Sequence, residues 1–240
     1  MKLAALVSGG KDSVFALYTM KQEGHEITQI LTMMPERTDS YMFHHPNVHL
    51  TAMQAELMDI PQIIGKTKGE KEKELKDLEK LISKVKGKVD GIVTGALYSN
   101  YQKERIDAIA KKLGMRSEAP LWNIDLVKYW SLLLENKFAV IITAVAAEGL
   151  DESWLGRKID EKAVKELIGI SKKNKINIAG EGGEFETFVL DCPLFSKRIE
   201  IVEAHKEWKG DSGVYVIECA RTVQKQIISF HSKLFSPELL

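Results

Sequence analysis

Apolar residues in the first half of the chain fall into short β-branched runs that alternate with stretches of helical spacing. Strands are predicted at 3–7, 27–33, 63–64 and 89–94, and helices at 14–23, 47–58, 70–85 and 101–113. Such alternation is typical of a parallel sheet whose strands are joined by crossover helices. The pattern therefore predicts a doubly wound α/β sheet.

The pattern becomes less regular after residue 120. Helices are predicted at 126–134 and 160–171, and strands at 138–146, 188–190, 198–204 and 214–220. Pro120 interrupts the periodicity, because a proline disfavours helix in the residue before it. We therefore predict one domain over residues 1–120 and a smaller α/β domain over residues 121–240.

Charge and cysteine content narrow the classes of protein. Lys plus Arg and Asp plus Glu both number 34, so the chain has no net charge to attract a nucleic-acid backbone, and we expect no stable nucleic-acid binding. Its two cysteines, Cys192 and Cys219, form no CxxC pair. No apolar run reaches the length of a membrane span. We expect a cytoplasmic protein without a membrane partner, and homo-oligomerisation stays open.

The loop after the first predicted strand reads SGGKDS over residues 8–13. Glycines let the backbone approach a ligand closely, while the N–H groups and dipole at a helix start attract anions. A Walker loop does not fit, because Ala5 and Asp12 stand where it needs Gly and Ser or Thr. We therefore predict that a polyphosphate is bound by Ser8, Gly9, Gly10, Lys11, Asp12 and Ser13.

In this strand–loop–helix setting the loop resembles the signature of the N-type ATP pyrophosphatases, or PP-loop enzymes, with their adenine nucleotide alpha hydrolase-like fold. The resemblance implies cleavage of ATP into AMP and pyrophosphate with Mg²⁺ assisting. It also implies that Thr32 and Met33 lie near the adenine, and Thr94 and Gly95 near the ribose or α-phosphate. Asp12 is either a Mg²⁺ ligand or a helix cap.

Three further segments resemble the diphthine-ammonia ligase family. They read YMFHHPN at 41–47, SNYQKER at 99–105 and GEGGEFET at 180–187, and the likeness covers residues 1 to about 195. The resemblance implies that ammonium amidates the carboxylate of diphthine, a modified histidine of translation elongation factor 2. Because a carboxylate is a poor acyl donor, ATP would first convert it into an acyl-adenylate.

The segment at 180–187 also has an electrostatic peculiarity of its own. Glu181, Glu184 and Glu186 crowd three carboxylates into six positions, and their repulsion is costly unless a cation is near. The trimethylammonium group of diphthine or an ammonium ion would relieve it, whereas an acidic turn before a strand is the simpler alternative. We predict catalytic roles for Lys11, Arg105, Glu184 and Glu186, and substrate binding by His44, Tyr101, Gln102, Glu181, Gly182, Gly183 and Thr187.

Two other functions remain open from the sequence. A PP-loop sulfurtransferase acting on tRNA or a small molecule would share the ATP chemistry but would need a persulfide-bearing cysteine, for which Cys192 is the candidate. The other alternative is a module that senses ATP without cleaving it. These three hypotheses differ in the chemistry that they require next to the loop.

Overall fold

A five-stranded parallel sheet forms the first half of the protein. The computed structural model describes residues 1–35, 47–69 and 73–225. The strands are β1 (Lys2–Leu6), β2 (Glu26–Pro35), β3 (Gln62–Thr67), β4 (Gly91–Val93) and β5 (Arg116–Glu118). Their order across the sheet is β3-β2-β1-β4-β5, so the chain reverses its direction of progress between β1 and β4.

Helices cover both faces of this sheet. They are α1 (Lys11–Gln22), α2 (Thr51–Leu57), α3 (Lys73–Ser83) and α4 (Asn100–Lys112). Along β1, Leu3 and Ala5 share a core with α1, whereas Ala4 belongs to a second core with α3 and α4. This alternation follows from the two-residue period of a strand. The doubly wound arrangement predicted from the sequence is confirmed.

The second half contains a smaller antiparallel sheet with two helices. Its elements are α5 (Leu126–Glu135), β6 (Ala139–Val145), α6 (Glu161–Asn174), β7 (Phe185–Asp191), β8 (Arg198–Lys209) and β9 (Ser212–Val223). The strand order is β7-β6-β9-β8, and all paired strands run antiparallel. The predicted smaller α/β unit is therefore present, although the antiparallel pairing was not foreseen.

Element bounds differ from the prediction at several places. Helix α1 begins at Lys11 rather than at residue 14, because Gly10 is extended and takes the N-cap position. The short strand β5 was not predicted and lies next to the expected domain boundary. Three residues are too few to show the two-residue period of a strand. Strand β7 begins at Phe185, inside the acidic segment. The division at residue 120 stays a prediction.

The two halves share one hydrophobic core around α1. The Phe15 ring of this helix lies 5.7 Å from Tyr129 of α5 and 5.2 Å from Phe138, measured between ring centroids. The same core continues to Phe188 of β7. Helix α1 is thus packed between the parallel sheet and the second half, and the loop before it lies at their junction. Within the described ranges, no helix is both long enough and apolar enough to cross a bilayer.

We expect Gly95→Ala to destabilise the fold, because a Cβ there would lie 2.5 Å from the carbonyl carbon of Asp12. Overpacking of this kind lowers the free energy of unfolding by about 1–3 kcal/mol. Gly169→Ala is the matched control, since its Cβ would meet nothing within 4 Å and it lies inside α6. That variant should gain about 0.5–1 kcal/mol in urea denaturation. Equal stability of Gly95→Ala and wild type would contradict the close approach of β4 and α1.

Candidate active site

A cleft of about 880 Å³ opens at the carboxyl ends of β1 and β4. Ligands of open α/β sheets bind at this place, where the connections diverge to opposite sides. On one side it is lined by Val7, Ser8, Thr94 and Gly95. On the other side it is lined by 144–146, 180–183 and the β8–β9 hairpin. The volume lies within the range of ligand pockets, about 300–1,000 Å³.

Strand β7 holds the 8–13 loop from behind. Val189 N–H donates to the Gly9 carbonyl at 3.0 Å, and Lys11 N–H donates to Thr187 Oγ1 at 3.2 Å. Gly9 has a φ of +91°, and a Cβ on it would lie 2.9 Å from the Phe188 ring. The loop therefore needs glycine at this position, both for its conformation and for the space that the ring occupies. Thr187, predicted to bind substrate, accepts a hydrogen bond from the loop and does not line the cleft.

The two serines of the loop face the cleft and each other. Ser8 N–H donates to Ser13 Oγ at 3.3 Å, and the two hydroxyl oxygens are 3.4 Å apart. Ser13 Oγ also donates to the Gly10 carbonyl at 3.1 Å. Both residues border the cleft, whereas Gly9 and Gly10 lie behind it. Both hydroxyls thus lie at the start of α1, where the helix dipole attracts anions.

Lys11 points away from the cleft. Its side chain is 2% exposed, and its ammonium donates to the Ala179 carbonyl at 2.5 Å and to Asp12 Oδ2 at 3.0 Å. The rings of Trp130 and Phe185 lie 5.6 and 5.5 Å from Nζ, within cation–π range. In this position the ammonium joins the loop to residue 179. This residue directly precedes residues 180–184, which we call the acidic turn. Because this carbonyl and these rings surround the charge, Lys11 lies outside the cleft lining, and its contact with phosphate stays a prediction.

Asp12 borders the cleft and is not a helix cap, since Gly10 holds that position. Its Oδ1 accepts a hydrogen bond from the Tyr129 hydroxyl at 2.6 Å. Burial raises the pKa of the Tyr129 phenol well above its ordinary value, and the Asp12 charge adds to the rise, so the phenol stays protonated. Asp12 is 30% exposed and can still face a cation. Among the described residues no group of three or more metal-ligating side chains occurs.

The residues predicted to contact the nucleoside divide into two groups. Met33, Thr94 and Gly95 line the cleft at the ends of β2 and β4. Thr32 is fully buried, and its hydroxyl donates to the Val7 carbonyl at 2.8 Å. Its side chain thus ties β2 to β1 and does not reach the cleft.

Glu181 belongs to the acidic turn but is bound to the other half of the protein. Its Oε1 accepts hydrogen bonds from the N–H groups of Tyr98 at 3.1 Å and Ser99 at 2.9 Å. Burial raises the pKa of the Glu181 carboxyl above its ordinary value, the charge of Asp12 adds to the rise, and the two N–H donors oppose it. The turn, with Gly182 and Gly183, therefore faces the carboxyl end of β4 across the cleft.

Glu184 holds the turn together and lies outside the cleft lining. Its two carboxylate oxygens accept from Asn177 N–H at 2.8 Å and Gly182 N–H at 2.7 Å. Glu184 precedes β7, whereas Glu186 lies within that strand and borders the cleft. Of the two glutamates for which we predicted catalysis, the structure brings only Glu186 to the cleft, because the backbone donors of the turn engage Glu184.

The first turn of α4 adds Tyr101 and Gln102 to the lining, as predicted. Ser99 caps this helix, its hydroxyl accepting from Gln102 N–H at 3.3 Å. Arg105 lies one turn behind the cleft, with its guanidinium carbon 3.3 Å from the centroid of the Tyr101 ring. It therefore supports Tyr101 and does not line the cleft itself. His44 lies outside the described residues.

Comparison with known proteins agrees with this arrangement. Residues 1–117 match the family model of the diphthamide synthase N-terminal domain, and residues 125–223 match that of the C-terminal domain. The human diphthine–ammonia ligase is 35% identical over 221 residues, which cover 83% of this chain and 82% of the human protein. The chain belongs to the diphthine–ammonia ligase family.

Two further comparisons differ in the length or the degree of the similarity. The diphthine–ammonia ligase of Schizosaccharomyces pombe is 34% identical over 85% of this chain, which spans only 36% of the yeast protein. Among solved structures, a predicted tRNA methyltransferase subunit from Methanocaldococcus jannaschii aligns over 80% of this chain and 98% of that one. Its TM-score of 0.44 and identity of 14% are too low to carry a functional argument.

The β8–β9 hairpin lines part of this family member's cleft and was not predicted from the sequence. It lines the cleft with Glu207, Trp208, Lys209, Ser212, Gly213 and Val214. The available signal was a tryptophan at a strand end, directly before a glycine-containing turn. Pairing of Gly213 with Val145 of β6 brings this hairpin to the cleft, and such a distant pairing is not visible in local sequence.

We expect Glu184→Gln to weaken the acidic turn of this diphthine–ammonia ligase family member. An amide keeps one acceptor oxygen, so either Asn177 N–H or Gly182 N–H loses its partner, which costs about 1–3 kcal/mol. Urea denaturation should show that loss, while calorimetric titration should give an unchanged Kd for ATP. Glu148→Gln, an exposed matched control, should stay within about 0.5 kcal/mol of wild type. Equal stability of the two variants would contradict the structural role of Glu184.

Proposed function

We propose that the protein amidates the carboxylate of diphthine on translation elongation factor 2, using ATP and ammonium and releasing AMP and pyrophosphate. The observation that carries the proposal is the joining of two distant motifs in one cleft. The Lys11 ammonium binds the Ala179 carbonyl, 168 positions along the chain, and Glu181 binds the backbone at Tyr98 and Ser99. The 8–13 loop and the acidic turn thereby border the same cleft.

The nucleotide half of the cleft suits ATP. Adenine would lie near Met33, and the phosphates would lie at the start of α1, within reach of the Ser8 and Ser13 hydroxyls. Asp12 is the residue that we propose for Mg²⁺, which usually takes one or two carboxylates together with phosphate oxygens. When bound, Mg²⁺ would supply charge neutralisation of the leaving pyrophosphate.

The reaction proceeds in two displacements. An oxygen of the diphthine carboxylate attacks the α-phosphorus, the bond to the bridging oxygen breaks, and pyrophosphate leaves. Ammonia then attacks the carbonyl carbon of the acyl-adenylate, and AMP leaves with the electron pair of the broken C–O bond. Ammonium must first lose a proton, for which we propose Glu181 as the acceptor, since it lines the cleft and burial raises the pKa of its carboxyl. The nitrogen gives up a second proton to solvent as the amide forms.

The sulfurtransferase alternative is disfavoured by the surroundings of Cys192. Its thiol is 1% exposed, and burial raises its pKa to about 12. A persulfide carrier needs an accessible, ionisable thiol next to the activated substrate. Neither Cys192 nor the exposed Cys219 lines the cleft. An ATP sensor is the second alternative, and it would use only the nucleotide half of the cleft.

Incubation of the protein with ATP, ammonium and diphthine-bearing elongation factor 2 should give AMP, pyrophosphate and an amidated factor, detected by mass spectrometry. Ser13→Ala should lower kcat/KM for ATP by about tenfold or more, because one hydrogen bond to a charged phosphate is lost. Ser131→Ala, on the exposed face of α5, is the control and should retain wild-type rates. An unmodified factor after complete incubation with wild-type protein would overturn the proposed function.

Thiol labelling separates the ligase from the sulfurtransferase. In the native protein Cys219 should react quickly with an aromatic disulfide reagent, whereas Cys192 should react only after unfolding, since its buried thiol stays protonated. Cys192→Ala should retain amidation per folded molecule, with Cys219→Ala as the matched variant. Rapid labelling of Cys192 together with an inactive but folded Cys192→Ala variant would favour sulfur transfer.

A further inference from the structure

Trp208 occupies a fixed place on the wall of the cleft. It pairs with Gly213 across the β8–β9 hairpin, and Gly213 pairs in turn with Val145 of β6. A Cβ on Gly213 would lie 2.5 Å from Trp208 Cε3, so the indole packs directly on the glycine backbone. The half-buried ring therefore packs on the middle of the second sheet and borders the cleft with its remaining surface.

The charges that line the cleft do not suit a nucleotide alone. Among the described residues that line the cleft, four are acidic and one is basic, namely Asp12, Glu181, Glu186 and Glu207 against Lys209. ATP is itself an anion, and carboxylates near it are repulsive unless they meet a cation. Apart from Asp12, these carboxylates come from the acidic turn, β7 and the hairpin. This side of the cleft is therefore complementary to a positively charged group.

An aromatic ring among carboxylates favours the binding of a quaternary ammonium group. A quaternary ammonium has no N–H group, so carboxylates cannot hold it by hydrogen bonds. It binds instead to the face of an aromatic ring, and tryptophan is the best of the aromatic side chains for this contact. A small ammonium ion, by contrast, gains its contacts from oxygen acceptors and needs no such wall.

We infer that Trp208 is a specificity residue that binds the quaternary trimethylammonium group of diphthine. The inference rests on the proposed function, and it identifies which part of the cleft holds the substrate's cation. Trp208 thereby holds the modified side chain on the hairpin side of the cleft, opposite the ATP loop. The Glu186 carboxylate, which also borders the cleft, adds charge attraction, whereas Glu207 Oε1 lies 3.1 Å from His205 Nε2.

Direct binding of a small probe tests the inference without the reaction. Choline carries the same trimethylammonium group, and 3,3-dimethylbutan-1-ol is its neutral isostere. Saturation-transfer NMR titrations of the full chain should show choline binding at least about fivefold more tightly than the isostere. Trp208→Leu should weaken choline binding at least about fivefold and leave the isostere nearly unchanged, whereas Trp208→Phe should weaken choline by about twofold. Trp122→Leu, which removes a tryptophan outside the cleft lining, is the control.

Two results would overturn the inference. One is equal binding of choline and its isostere to the wild-type protein, and the other is equal choline binding by wild type and folded Trp208→Leu. In the amidation assay, Trp208→Leu should raise KM for the diphthine-bearing factor at least about fivefold and leave KM for ATP unchanged. Lack of amide from the wild-type protein would refute the proposed function, and the choline titrations would still decide the role of Trp208.

Discussion

The contact between the 8–13 loop and strand β7 is the constraint on which the remaining structure depends. The loop's own sequence supplies flexible glycines, but Val189 N–H, Thr187 Oγ1 and the Phe188 ring give it one shape. The helix start that we propose for phosphate binding is therefore complete only when the second sheet is in place. Helix α1 packs against both halves for the same reason, and one hydrophobic core spans them.

Contacts between the two halves also determine where the charged side chains lie. The Lys11 ammonium joins the loop to Ala179, and Glu181 spans the cleft to the start of α4, so each half holds a charge supplied by the other. Glu184 is engaged by the backbone of its own turn. What remains for chemistry is a short set of side chains at the cleft surface. The acidic segment therefore has a structural role through Glu181 and Glu184, and substrate binding by its cleft surface is our proposal.

Several features could be predicted from local sequence because their physics is local. The alternation of β-branched runs and helical spacing indicated the parallel sheet, whereas the polyphosphate site that the glycines and serines after β1 indicate stays a prediction. Tyr101 and Gln102 also lie where their motif suggested. Strand β5 was missed because three residues show no period, and the Trp208 hairpin was missed because β6 and β9 pair across about seventy positions of sequence.

The sequence by itself determined the fold class and the glycines, serines and helix start of the 8–13 loop, since strand periodicity, glycine freedom and helix dipoles act over a few residues. Only the tertiary structure decided which of the three neighbouring glutamates reach the cleft and where the Lys11 charge lies. It also decided that Cys192 is buried in the core. Those outcomes depend on backbone donors and rings brought from distant positions. Burial and hydrogen-bond partners are properties of the packed chain, which no local pattern encodes.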